Sequence, residues 1–142
     1  MPPRLLPWFG SSNVGGSYAS AYSVAITQGS FQTPQLSLPI PKPGKYLIFA
    51  KVQVSNTNHT GAAARVDCKL SVPNAGDIDN SAATLDPAYG SFATIALETA
   101  WEFQAASSVD LYCLTFFNTP AEAANIKISA IRIDDLTHGT LP

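Results

Sequence analysis

The sequence predicts an all-β domain, a sandwich or barrel of short antiparallel strands. Three observations carry this expectation. Apolar and polar residues alternate with a period of two in several stretches, most cleanly at 65–72. Clusters of Pro, Gly, Asn, Asp and Ser separate those stretches at short, regular intervals. No stretch carries the helical period, so the runs have no alternative reading as an amphipathic helix bundle. At 142 residues the chain has the size of one domain.

Residues 1–21 read as an N-terminal arm with a flexible link, and residues 22–142 as the domain. The arm places Arg4, Leu5, Leu6, Trp8 and Phe9 ahead of a Gly- and Ser-rich segment. Such apolar side chains call for a surface to cover them, on a neighbouring molecule or on the chain's own domain. They are the candidate partner-binding residues.

Residues 22–27 alternate and predict the first strand, and residues 31–38 a second, with Leu36 and Leu38 on one face. Pro34, Pro39, Pro41 and Pro43 keep this region extended and at a sheet edge. Pro41-Lys42-Pro43-Gly44 then turns the chain into the strand 45–54. Tyr46, Ile48, Ala50, Val52 and Val54 share one face of it; Leu47 and Phe49 lie on the other, followed by Lys51 and Gln53. The first half of this strand is apolar on both faces and needs cover on two sides. The strand ends in the polar loop 55–61.

Strand 65–72 has Val66, Cys68, Leu70 and Val72 inward and Arg65, Asp67, Lys69 and Ser71 outward. Residues 74–80 read as a loop and 81–85 as a short strand. Residues 92–104 alternate again, with Ile95, Leu97, Thr99, Trp101 and Phe103 opposed to Thr94, Ala96, Glu98, Ala100 and Glu102. The next strand points Val109, Leu111 and Cys113 inward. Residues 121–124 are too short for a helix. The last strand, 125–136, has Ile126, Ile128 and Ala130 on one face and Ile131 and Ile133 on the other. Either a bulge near Ala130 restores a single face, or both faces are covered. Tyr46, Leu47, Phe49, Ile131 and Ile133 are accordingly the candidate subunit-interface residues.

Composition narrows the function classes. Hydrophobic residues make up 46% and charged residues 13%, against roughly a quarter charged in ordinary soluble domains. So little charge leaves much surface suited to partners. The net charge of −2 and scattered Lys and Arg offer no basic patch for nucleic acid or an anionic membrane. No run approaches the roughly 18 apolar residues of a membrane span. The first residues, interrupted by Pro2, Pro3 and Pro7, lack the apolar core of a secretory signal.

The sequence assembles no catalytic or metal-binding set, so the expectation is a protein that is not an enzyme and needs no cofactor. Asp77 and Asp79 offer oxygen ligands at alternate positions but lack the Gly and terminal Glu of a helix-loop-helix calcium loop. Glu98 and Glu102 are separated along one face, and Asp134 and Asp135 point opposite ways. His59 and His138 have no spaced nucleophile or carboxylate. Asn58-His59-Thr60 is a glycosylation sequon, relevant only to a secreted eukaryotic protein. Cys68 and Cys113 both face inward and are disulfide candidates; the alternative is a pair of buried thiols packing as small apolar groups. A bridge across this interval would stabilise by about 4 kcal/mol in the chain-entropy model.

Several of these residues carry a family resemblance. Pro43-Gly44-Lys45-Tyr46, opening a strand that continues Leu47-Ile48-Phe49-Ala50-Lys51-Val52, resembles the Gly-x-Tyr strand of tumour-necrosis-factor-like and complement-globular-head jelly rolls. The ending Ile126-Lys127-Ile128-Ser129-Ala130-Ile131-Arg132-Ile133 resembles the last strand of stand-alone bacterial and phage proteins of that architecture. Asp77 and Asp79 after one Cys strand, and a second Cys strand before the ending, are similar to that group too. The resemblance covers about residues 22–137. It implies a jelly roll of the ten-strand class that assembles as a homotrimer.

In animal members such domains bind receptors or glycans; in phages they sit on the outside of virions. The absence of a collagen-like stalk, signal peptide and membrane anchor favours the virion branch. The resulting expectation is a phage capsid decoration protein, made in the host cytoplasm and carried on the virion surface. Its partners would be itself and the major capsid protein or another virion protein. The alternative is a receptor- or glycan-binding head of a tail or neck fibre, or a bacterial surface module. In that reading Tyr89 and the loop 56–60 supply the exposed aromatic contacts. Oxidising surroundings outside the cell favour the Cys68–Cys113 bridge.

Overall fold

The computed structural model describes residues 16–28, 33–116 and 119–133. They contain nine strands: β1 (Gly16–Ala25), β2 (Thr27–Gln28), β3 (Leu36–Ile40), β4 (Gly44–Asn56), β5 (Ala64–Val72), β6 (Gly76–Leu85), β7 (Phe92–Phe103), β8 (Ser107–Thr115) and β9 (Ala121–Arg132). One sheet has the order β1-β9-β4-β7. The other has the order β8-β5-β6, with β2 and β3 both pairing on the remaining side of β8. Every pairing is antiparallel except that of the two-residue β2. The fold is an all-β jelly-roll sandwich.

The core lies between the sheets and follows the alternation. From β4 it takes Tyr46, Ile48, Ala50, Val52 and Val54. From β5 it takes Val66, Cys68, Leu70 and Val72, from β8 Val109, Leu111 and Cys113, and from β9 Ile126, Ile128 and Ala130. Cys68 and Cys113 are register partners on neighbouring strands and form a disulfide. Phe103 is buried and Trp101 packs half-buried against the core, where the parity of β7 sends both.

Three boundaries differ from the sequence reading. The first strand begins at Gly16, inside the segment read as arm and link; its residues pair in register with β9 from Gly16↔Ile131 to Ala25↔Glu122. Residues 76–80 are strand, not loop, because β6 pairs along its length with β5 while remaining mostly exposed at a sheet edge. Residues 121–124 are also strand, the start of β9.

The irregularity in β9 lies at Asn125, not near Ala130. Asn125 has φ 50°, and the β4–β9 register shifts between Lys51 and Gln53. The additional residue changes parity, so Ala121 and Ala123 before it and Ile126, Ile128 and Ala130 after it all point inward. The Asn125 amide Nδ2 donates to Gln53 Oε1 at 2.9 Å and fastens the two strands beside the shift. With parity already restored there, Ile131 is left on the outer face.

The strand directions give the sandwich two unlike ends. Gly16 and Ile133, the outermost described residues, lie at one end, where Ile133 N donates to Lys45 O at 2.8 Å. The loop 57–63 between β4 and β5, and the loop 86–91 between β6 and β7, lie at the other.

Candidate functional site

Two surfaces stand out. The first is the outer face of the four-stranded sheet. Odd-numbered residues of β4 point there, and register places Leu47 between Ile131 on β9 and Ala100 on β7. In the next row Phe49 lies between Ser129 and Glu98, with Tyr18 of β1 beyond Ser129. Ile131 is 41% exposed, Phe49 36% and Tyr18 47%. Leu47 is half-buried by its neighbours alone. Lys45, Lys51, Lys127, Glu98 and Glu102 surround this apolar strip, and all are exposed. At its lower margin Ile133, Ala100 and Trp101 line a shallow hollow with Lys45 and Glu102.

Of the five residues expected at a subunit interface, Leu47, Phe49 and Ile131 therefore share one apolar strip, with half-buried Ile133 in the hollow at its margin. Tyr46 borders the same hollow but lies on the inner face of β4. It is 4% exposed, its ring meets Phe103 edge-on at 5.5 Å, and its hydroxyl donates to Lys42 O at 3.0 Å. It belongs to the core, as the even parity of β4 requires. The arm residues Arg4, Leu5, Leu6, Trp8 and Phe9 lie outside the described residues.

The second surface is the loop end. His59 and Tyr89 stack with ring centroids 4.1 Å apart and an interplanar angle of 17°. Tyr89 is 62% exposed, and two other exposed aromatics, Phe92 and Phe116, lie at this same end. The loops beneath are organised by Asn56, which is fully buried. Its amide Nδ2 donates to Ala62 O at 3.0 Å and Asp86 O at 2.9 Å, tying one loop to the other. Its Oδ1 accepts from Asn58 N, and its backbone carbonyl accepts from Gly90 N at 2.8 Å. Ser91 Oγ adds a bond to Asp86 O at 2.7 Å. In the sequon, Asn58 is buried and its Oδ1 accepts from both Thr60 N and Thr60 Oγ1, so Thr60 is folded back onto it. Sequence reasoning marked Tyr89 and the 56–60 loop separately; the pairing of His59 with Tyr89 depends on tertiary structure and had no local signal.

The acidic candidates are engaged elsewhere. Asp77 pairs with Lys69 at 2.9 Å. Asp79 accepts from Asn80 N and, through Oδ2, from Glu98 N at 2.8 Å, joining β6 to the edge of β7 in the facing sheet. Arg65 and Asp67 form a further pair at 2.9 Å. Among the described residues, no three His, Cys, Asp or Glu side chains converge as metal ligands. Nor is there a helix long and apolar enough to cross a membrane.

A sandwich of this topology defines a tumour-necrosis-factor-like fold. No protein-family model matches the chain, and no curated protein matches it. Among solved structures, the chain is similar to Eiger TNF from S. frugiperda, with a TM-score of 0.59 over 91% of this chain and 98% of that one. The identity is 10%, so the likeness is one of fold.

Proposed function

We propose that this protein is a structural, self-assembling module: a homotrimer that decorates a phage shell through repeated contacts. The observation that carries the reading is the apolar strip Leu47, Phe49 and Ile131, set in a rim of Lys and Glu on one open sheet face. An apolar centre with a polar rim is the anatomy of a protein interface. The chain's 13% charged residues fit a molecule that covers part of its surface with copies of itself.

Trimeric assembly is what the family resemblance implies, and the strip supplies a surface for it. Residues 1–15, with Arg4, Leu5, Leu6, Trp8 and Phe9, would clamp a major capsid protein or a neighbouring subunit. Many weak contacts over a lattice then add to firm attachment.

The deciding measurement is mass in solution by light scattering across concentrations. Three chains per particle are expected; a single chain at high concentration overturns the assembly. A chain lacking residues 1–15, which keeps β1 whole, should still form the trimer but lose binding to shells. Full binding by that truncated chain removes the clamp from the account.

A further inference from the structure

We infer that the outer face of the four-stranded sheet carries a binding site for a small tetrahedral dianion, a phosphate or sulfate group, built on Lys51 and Lys127. The fold makes these two residues direct register partners on β4 and β9. Both point outward and both are exposed. Partners on one face hold their Cβ atoms about 5 Å apart, and like charges placed so destabilise a sheet. Ser20 and Ala96 complete the row on either side, so no acid stands in it. Neither ammonium has an ion-pair or hydrogen-bond partner among the described residues. On this face Glu98 lies one row away, diagonal to Lys51. A divalent anion between the two ammonium groups turns their repulsion into a shared attraction.

A hollow of about 240 Å³ opens beside Lys127. Its polar lining is Tyr18, Ser20, Asn125 and Lys127, with no carboxylate among them. Ser20 on β1 is the register partner of Lys127, so its hydroxyl is a neutral donor in the same row. The side chains also select among anions. An Arg fork matches a planar carboxylate, whereas Lys acts as a point charge suited to phosphate. No guanidinium lines the hollow. Two point charges with hydroxyl donors therefore favour a tetrahedral dianion over a carboxylate. Two charges in one row are too few to follow a nucleic acid backbone, and the exposed Glu98 and Glu102 on β7 repel one. The row lies at the polar rim of the apolar strip, so the site stands or falls independently of self-assembly.

The test is a titration of the full chain with methyl phosphate, sulfate, acetate and chloride at matched ionic strength, followed through the side-chain Cε resonances of Lys51 and Lys127. At least one of the two dianions should shift both lysines together and saturate, with a dissociation constant on the order of millimolar. Acetate and chloride should not. Lowering the pH from about 7.5 to about 5 should weaken methyl phosphate several-fold, since its second pKa is about 6, and leave sulfate unchanged. Lys51→Gln and Lys127→Gln should each weaken binding about tenfold, the loss of one charge-assisted contact. The double variant should abolish it, while Lys42→Gln, in the turn before β4, should leave it unchanged. Circular dichroism of each variant checks the fold. No saturable shift with either dianion at about 100 mM, far above that dissociation constant, overturns the inference. So does an equal response to acetate or chloride, a shift confined to one lysine, or binding that persists in the double variant.

Discussion

Cys68 on β5 and Cys113 on β8 face each other as direct register partners, their Cα atoms 4.1 Å apart and their sulfurs bonded. The bridge joins positions separated by 45 in sequence. It pins together two central strands of one sheet in the wall of the core. Replacing both residues with Ala should therefore lower unfolding free energy by up to about 4 kcal/mol in the chain-entropy model. Urea denaturation of the double variant against the oxidised parent measures this. Because the two residues are 0% and 1% exposed, a thiol reductant should act slowly on the folded protein and rapidly once denaturant opens it.

A charge placed in the apolar strip should separate the copies. Phe49→Glu puts a carboxylate beside Glu98, its register partner, on the outer face. The chain should keep its strand content by circular dichroism while its mass falls to that of one chain. An unchanged assembly would move the contact away from this face. Added salt should have little effect on the parent assembly, because the centre of the strip is apolar.

Asn56, the last residue of β4, should be the costliest residue to truncate at the loop end. Asn56→Ala leaves Ala62 O without the Asn56 amide and Asn58 N without its acceptor, while Asp86 O keeps only the Ser91 hydroxyl of its two donors. A loss of about 2–3 kcal/mol is expected, since orphaned groups near the interior carry their full desolvation cost. Hydrogen exchange at Asn58 should accelerate along with it.

Two glycines offer a paired test of backbone strain against crowding. Gly44 and Gly61 both have positive φ, 139° and 75°. A Cβ on Gly44 would come within 2.8 Å of Arg132 Nε, whereas one on Gly61 would meet nothing within 4 Å. Gly61→Ala should cost roughly 1 kcal/mol for the conformation alone. Gly44→Ala should cost more, roughly 2–3 kcal/mol, because Arg132 must move as well. Thermal unfolding of both variants ranks them.

The strands with strong contrast between their faces were legible in the sequence. On β5, Val66, Cys68, Leu70 and Val72 alternate with Arg65, Asp67, Lys69 and Ser71, and only one register buries the first set. The start of β1 was hidden because Gly16, Ser17, Ala19 and Ser20 are small and carry no such contrast. β6 was read partly as loop since an edge strand keeps Asp77, Asn80 and Thr84 in or near water and pays no penalty for polar residues. The shift at Asn125 has a similar cause: a parity change can be placed at several points between Ala123 and Ile131 until the partner strand is known. Tyr46 was assigned to two roles because a strand apolar on both faces does not reveal which aromatic side chain turns inward. Partners across the chain, such as His59 with Tyr89, or Asp79 with the Glu98 amide, arise only once the sandwich closes.

The two unlike ends of the sandwich determine what any attachment leaves accessible. Both flanking segments depart beside Gly16 and Ile133, whereas Asn56 and the rings it supports sit at the far end of the 13-residue β4. At about 3.3 Å per residue, that separation is roughly 40 Å. A chain anchored by either flank would hold its aromatic tips outward like the head of a pin, clear of whatever it is planted in.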